Sequence, residues 1–280
     1  MNNENHIDAL LPVEMAQKAE QVGMRKAEMS LSNLFALAVL AGAFVALGAI
    51  FSTTVAAGAA NVLPFGVTRL LVGITFCLGL ILVIVGGAEL FTGNNLIVMA
   101  WASGKVTSAA LLRNWVVVYL GNFAGALGTA LLLVASKQYA FGGGSVGITA
   151  LSIANAKVHF GFVQAIALGA LCNALVCLAI WLTFSARSTI DKIAAILFPV
   201  TAFVTAGFEH SIANMYFVPV ALFIKQFDPA FVAVSKLDLA ALTWQTFLLG
   251  NLLPVTIGNI MGGVLLVAAV YWVVFLRRRE

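Results

Sequence analysis

Charge is what this sequence has least of. Asp, Glu, Lys and Arg make up 9% of 280 residues, where a soluble domain carries roughly 25%. So few charges cannot cover a water-facing surface. That excludes a soluble enzyme, a disordered chain and a nucleic-acid module, which needs a basic face. The net charge of +4 comes from Lys and Arg near the ends of apolar runs, where membrane topology is decided. Cysteine is scarce too. Cys77, Cys172 and Cys177 all lie inside apolar runs, and an odd count there reads as small buried residues rather than a disulfide or metal ligands. There is no metal-ligand cluster, no phosphate-binding glycine loop and no nucleophile beside a base. No metal, no cofactor and no enzymatic role are expected. What is abundant is apolar: 62% of residues, with a mean hydropathy of +1.04. The expectation is an integral membrane protein solvated mostly by lipid.

Residues 1–28 hold eight charged groups and lack the apolar core of a secretory signal. Within them, 12–28 reads as a short amphipathic helix, with Pro12 in its first turn and Met15, Ala19 and Val22 on one face. Such a leader could lie on the membrane, cap the protein or stay solvated in the cytoplasm.

A crossing helix needs about 20 apolar residues. Four uncharged stretches are long enough, and they place helices at 33–57, 112–136, 159–185 and 247–275. Residues 138–156 are uncharged as well, but Gly142, Gly143, Gly144, Gly147, Ser145, Ser152 and Asn155 read as a loop. Two further apolar segments are interrupted: 70–104 by Glu89, and 193–224 by Glu209 with His210 beside it. Each exceeds a single span and fits a helix, a break and a second half-helix. The fold expected is an all-α, six-span domain over 29–280, with the second and fifth spans broken. Both termini then share one side, which holds ten Lys and Arg (Lys18, Arg25, Lys26, Lys105, Arg113, Arg187, Lys192, Arg277, Arg278, Arg279) against five on the other (Arg69, Lys137, Lys157, Lys225, Lys236). The positive-inside rule puts both termini in the cytoplasm.

The halves, about 29–137 and 158–277, echo one another. Phe35, Ala38, Gly42 and Ala43 recur as Phe162, Ala165, Gly169 and Ala170, an offset of 127. Glu89 and Asn94 recur as Glu209 and Asn214, an offset of 120, and Gly121-Asn122 and Gly125 recur as Gly258-Asn259 and Gly262, an offset of 137. Three spans per half is an odd number, so the second half enters the membrane from the opposite side. Inverted repeats of this kind place a binding or conduction site at the broken helices, where irregular backbone is tolerated only if it is buried in protein or lines a cavity.

At the breaks, Gly87, Gly93 and Gly207 permit unusual backbone. The second half-helices present N-terminal ends that favour an anion. His210 is the one histidine deep in a span; His6 is in the leader and His159 near a membrane face. It is a functional candidate or a neutral histidine bonded to broken backbone. The symmetry of Glu89 and Glu209 suggests scaffolding, each carboxylate accepting from backbone N–H groups at its break. Asn122 and Asn259 can tie neighbouring helices together, and Gly121/Gly125 and Gly258/Gly262 allow close packing.

These breaks carry a family resemblance. Residues 84–93 (Ile-Val-Gly-Gly-Ala-Glu-Leu-Phe-Thr-Gly) and 169–179 (Gly-Ala-Leu-Cys-Asn-Ala-Leu-Val-Cys-Leu-Ala) resemble the two signatures of the formate/nitrite transporter family, and 207–214 and 258–263 match it as well. The resemblance implies an aquaporin-like protomer, a homopentamer in the bacterial inner membrane, and one pore per protomer for formate or similar small anions. It implies that Thr92 and His210 face one another in the pore. Phe76, Leu80, Leu90 and Phe203 would form apolar constrictions, and Asn173 would line the path. Lys157, Glu209, Asn214 and Asn259 would set the electrostatics around His210, and the first-break loop would be the gating candidate. Pattern alone does not select those constriction residues from a chain with 20 Phe. On this reading His210, oriented by Thr92, supplies or relays a proton so that neutral acid crosses; the competing version keeps the anion charged and uses His210 as a donor. Nitrite or hydrosulfide as substrate, an ion-coupled carrier and a water or glycerol channel are the alternatives. The last lacks its usual Asn-Pro-Ala breaks here.

Overall fold

The computed structural model describes residues 9–59 and 62–277, and all regular structure among them is helical. His6, Arg278 and Arg279 lie outside the described residues. In chain order the helices are α1 (Pro12–Glu28), α2 (Leu31–Ala56), α3 (Phe65–Gly86), a 3-10 turn (Gly93–Ile97) running into α4 (Val98–Ala102), α5 (Ser108–Ala135), α6 (Ser145–Val158), α7 (Phe162–Ser185), α8 (Thr189–Ala206), α9 (Ser211–Phe227), α10 (Pro229–Ser235) and α11 (Thr246–Phe275). Six are long and apolar enough to cross a membrane: α2, α3, α5, α7, α8 and α11. The chain is a multi-pass membrane protein. Spans two and five are broken as expected, but unequally. After α3 the chain continues only as a 3-10 turn and five-residue α4, whereas after α8 it continues as 17-residue α9.

Why α1 forms is visible locally. Pro12 sits at its first turn, and the Glu14 carboxylate accepts from the Leu11 N–H at 2.8 Å, half of a capping box. Its buried face is Met15, Ala16, Ala19, Glu20, Gly23 and Ala27, with Val22 half-buried. Glu20 pairs with Lys105, and Arg113 donates to the carbonyls of Ala27 at 2.6 Å and Met29 at 3.0 Å. Of the three placements open to the leader, it takes the cap.

Small residues let the spans approach closely. A Cβ at Gly73 would stand 2.8 Å from the Thr201 carbonyl, joining α3 to α8, and one at Gly258 or Gly262 would collide with Ile166 or Ala170 backbone on α7. The three cysteines are buried and free.

Two expectations change. Residues 138–156 are not a loop: only the glycine turn is irregular, with Gly142, Gly143 and Gly144 at φ 62°, 62° and 89°. From Ser145 onward, Val146, Ala150, Leu151 and Ala154 give α6 a buried stripe. The repeat also has a different register and reach. Glu89 N–H donates to the Leu37 carbonyl, and Glu209 N–H to the Leu168 carbonyl. That pairs α2 with α7 at an offset of 131, one helical turn from the 127 of the sequence match. A four-residue slip keeps the same helix face, so periodicity cannot detect it. The same offset pairs Lys26 with Lys157. The correspondence therefore includes α1 and α6, outside the limits 29–137 and 158–277.

Candidate functional site

Each break is a helix that stops on a left-handed glycine. Gly87 (φ 76°) ends α3 and Gly207 (φ 79°) ends α8. The next residue closes a Schellman bond in both: Ala88 N–H to the Val83 carbonyl at 2.9 Å, Phe208 N–H to the Phe203 carbonyl at 3.0 Å. A buried asparagine then holds the freed backbone. Asn122 Nδ2 donates to the carbonyls of Ala38 and Glu89, and its Oδ1 accepts from Phe91 N–H. Asn259 does the same with the carbonyls of Gly169 and Glu209 and with Ser211 N–H. Asn259 is thus a tie between α7, α11 and the break.

The two carboxylates were expected to accept from backbone N–H groups; they do not. Glu89 accepts from Lys26 Nζ at 2.8 Å and Asn94 Nδ2 at 2.8 Å. Glu209 accepts from Lys157 Nζ at 2.7 Å and Asn214 Nδ2 at 2.7 Å. The asparagines already satisfy the backbone, leaving each carboxylate free to neutralise a lysine. Asn114 and Asn251 complete the clusters. Each accepts from the asparagine of its break (Asn94 at 2.9 Å, Asn214 at 2.8 Å) and donates to a lysine carbonyl (Lys26 at 3.0 Å, Lys157 at 2.9 Å). Asn251 lies in the first of two π-helical stretches of α11, 246–252 and 262–268, and such widened turns re-aim side chains.

Two vestibules approach the centre. On the α1 side a cavity of ≈ 290 Å³ is bounded by Lys18, Lys26, Glu89, Leu90, Asn94 and Lys192, among others. On the α6 side one of ≈ 220 Å³ is bounded by Arg69, Phe76, Lys157, Phe203, Glu209 and His210, among others. They share no lining residue. Burial, then the nearby Arg187, Lys192 and Arg25, holds the Lys18 ammonium below the usual lysine value, a sign of how many cations crowd the α1-side mouth.

Between the vestibules, Thr92 Oγ1 and His210 Nε2 are 3.0 Å apart, and both residues are buried. His210 is the N-cap of α9, and its Nδ1 accepts from Ala213 N–H at 3.1 Å. An accepting Nδ1 carries no proton. The proton of the neutral ring is therefore on Nε2, which donates to Thr92. His210 is bonded to the broken backbone and also borders the α6-side cavity. Phe203 stacks 6.0 Å from the His210 ring, and Phe76 meets Phe203 edge-on at 6.0 Å. Leu80 and Leu90 are buried, and Leu90 bounds the α1-side cavity while Leu80 touches neither.

Asn173 was expected to line the path. It is fully buried, borders neither cavity, and reaches Thr92 from behind: Nδ2 donates towards the carbonyls of Thr92 (3.2 Å) and Asn259 (2.7 Å) and to Asn95 Oδ1 (3.0 Å). Gly93 is next to Thr92 at the start of the 3-10 turn, close against the Ile180 side chain. Sequence reasoning missed Lys26, Asn114, Asn251 and Arg69 as site residues. A repeat search that included α1 and α6 would have paired Lys26 with Lys157.

The sequence profile described as "Formate/nitrite transporter" matches residues 13–273. "Formate channel FocA" of Escherichia coli (strain K12) is 44% identical over 284 residues, covering 100% of this chain and 99% of the relative. "Formate channel FocA" of Haemophilus influenzae is 39% identical over 259 residues, 91% of each chain. Among solved structures, "Pentameric formate channel with formate bound" superposes with a TM-score of 0.83 at 46% identity, covering 88% of this chain and 98% of that one. "FNT family ion channel" gives 0.77 at 31% identity, covering 93% and 98%. Paired broken spans, matching full-length relatives and a family profile over almost the whole chain agree: this chain belongs to the formate/nitrite transporter family.

Proposed function

We propose that this chain is a formate channel of the bacterial inner membrane. It assembles as a homopentamer with a pore in each protomer and with both termini, and the α1-side vestibule, facing the cytoplasm. The observation that carries the reading is the Thr92–His210 pair, set between two cation-bearing vestibules, with Phe203 stacked on the imidazole, Phe76 against Phe203 and Leu90 at the α1-side cavity. Full-length relatives named formate channels support the substrate, and the pentameric neighbour supports the assembly.

The physical problem is the carboxylate charge. A bare charge at mid-membrane costs about 2.5–3.5 kcal/mol on insertion scales. Neutralising a carboxylate of pKa about 3.7 at pH 7 costs about 4.5 kcal/mol. The terms are comparable, so a donor at the constriction decides the route. His210 serves as that donor through Nε2–H, the acid taking the place of Thr92 Oγ1 as its acceptor. With Nδ1 engaged by Ala213 N–H, the neutral ring has no spare proton, so the proton that neutralises formate comes from hydronium in the entry-side solution, which is left as water. The expected relay through His210 becomes a fixed hydrogen bond that the acid, once formed, can accept.

Proteoliposomes carrying a lumenal pH dye test this. Inward formate flux is expected to acidify the lumen in step, above protein-free vesicles. His210→Asn keeps a side-chain cap for α9 but loses the aimed donor, and is expected to slow flux about two- to tenfold, since a hydrogen bond between neutral groups is worth about 0.5–1.5 kcal/mol. Formate current without proton movement overturns the neutral-acid route. Strong nitrite or hydrosulfide flux beside negligible formate flux overturns the substrate.

A further inference from the structure

Charge counting in the α6-side vestibule leaves one cation over. Lys157 is taken up by Glu209 at 2.7 Å, so that pair contributes no net charge. Arg69, on α3, lines the same cavity as His210. Its Nε donates to the Thr205 carbonyl at 3.0 Å, and its Nη2 donates to the Val204 carbonyl. Both acceptors are uncharged and belong to the last turn of α8, just before Gly207. Thr205 Oγ1 returns a bond to the Arg69 carbonyl at 3.2 Å, and a Cβ at Gly207 would lie 3.3 Å from Nη2. The guanidinium is therefore held against the second break. Glu209 is within electrostatic reach of it, but one carboxylate between two cations still leaves a net positive charge. The carbonyl end of α8 offsets about half of it. Arginine suits the place because it stays charged and its planar fork takes two carbonyls at once. The α1-side vestibule repeats the scheme with unrelated residues. Lys26 is paired with Glu89 at 2.8 Å, while Lys18 donates to the Phe184 carbonyl in the last turn of α7 at 2.8 Å.

We propose that Arg69 is a positioning residue that supplies the uncompensated positive charge of the α6-side vestibule and concentrates small anions in front of Phe76, Phe203 and His210. This rests on the transport reading. A cation in a low-dielectric cleft focuses its field on the mouth, and salt removes that effect as the Debye length falls from about 10 Å at 0.1 M to about 3 Å at 1 M.

The test is initial formate flux in proteoliposomes, at formate well below saturation, with ionic strength varied by an impermeant salt. Assembly of each variant is checked in detergent. Arg69→Gln is expected to lower flux about tenfold at low salt, with the gap closing to under about twofold near 1 M. Arg69→Lys is expected to stay within about twofold of wild type throughout. A second arm uses Arg69→Cys labelled with cationic or neutral thiosulfonates of similar size. Cys77, Cys172 and Cys177 are buried and escape the reagent. The cationic adduct is expected to exceed the neutral one about fivefold at low salt. Equal flux from the two adducts, or equal salt-independent losses in Arg69→Gln and Arg69→Lys, overturns the charge role and leaves a helix cap. Wild-type flux in the same vesicles reports separately on transport: its absence overturns that reading and this inference with it.

Discussion

At the scale of single residues, the two breaks are near copies that differ at the polar pair, Thr92 and His210. An offset of 120 carries Glu89 onto Glu209 and Asn94 onto Asn214, and it carries Leu90 onto His210 and Thr92 onto Ile212. The scaffold is duplicated and the polar pair is not: one break supplies the hydroxyl and the other the imidazole. The scaffold's ion pairs are deeply placed, with side-chain exposures of 13% and 3% for Lys157 and Glu209 against 26% and 6% for Lys26 and Glu89. Removing one member of a buried pair strands the other. Lys157→Met alone is expected to cost about 3–5 kcal/mol, and Lys157→Met with Glu209→Gln is expected to recover most of it. A double-mutant cycle on unfolding in detergent measures this, and simple additivity would count against the pair. The Lys26–Glu89 cycle is expected to give a smaller coupling, because water reaches that lysine more easily. His210 and the two glutamates were legible in the sequence because an ionisable residue within an apolar run stands out. Lys26 was not, since a lysine in a charged leader is ordinary until the fold brings it to Glu89.

At the scale of elements, the left-handed glycines decide where α3 and α8 stop. A side chain in that conformation costs roughly 1–2 kcal/mol, so Gly87→Ala is expected to lose about that much, with Gly87→Asn milder. Gly207→Ala is expected to lose more, because its Cβ would press on Arg69 Nη2 at 3.3 Å, whereas nothing lies within 4 Å of a Cβ at Gly87. Thermal midpoints of the two alanine variants in one detergent would order them, and equal shifts would rule out the Arg69 contact. Helix α1 was readable to its ends because Pro12 and the amphipathic stripe both mark it. α6 was hidden because its glycine-rich approach made the whole stretch look irregular. The π-helical stretches of α11 were not readable at all: hydropathy registers that a helix is apolar, not that one turn is wide enough to swing Asn251 onto Lys157.

At the scale of the molecule, the six spans could be counted because bilayer thickness demands long runs without charge, and little else in the sequence provides them. What covers those spans is a different matter. Apolar side chains on α8 face outward, Phe198 at 77% and Ile190 at 76% exposure, and such a surface fits lipid or a neighbouring protomer equally well. The pentamer of the proposed function is expected to appear as a five-copy particle by native mass spectrometry in mild detergent. A monomer that still conducts would separate assembly from transport.

The duplicated scaffold has a consequence for how the protein is made. Lys26, Glu89, Asn94, Asn114 and Asn122 all precede the glycine turn at Gly142, and Lys157, Glu209, Asn214, Asn251 and Asn259 all follow it. A ribosome that has finished α5 has already synthesised the ion pair and the asparagines Asn94, Asn114 and Asn122 that hold the first break. The ion pair and asparagines of the second break likewise come from its own half, while Arg69 reaches its α8 end from the other. The contact between Thr92 and His210 joins the two halves, as do the bonds of Asn173 to Thr92 and Asn95. The Thr92–His210 contact is therefore among the last features to exist, formed only once the chain has been made past the second break.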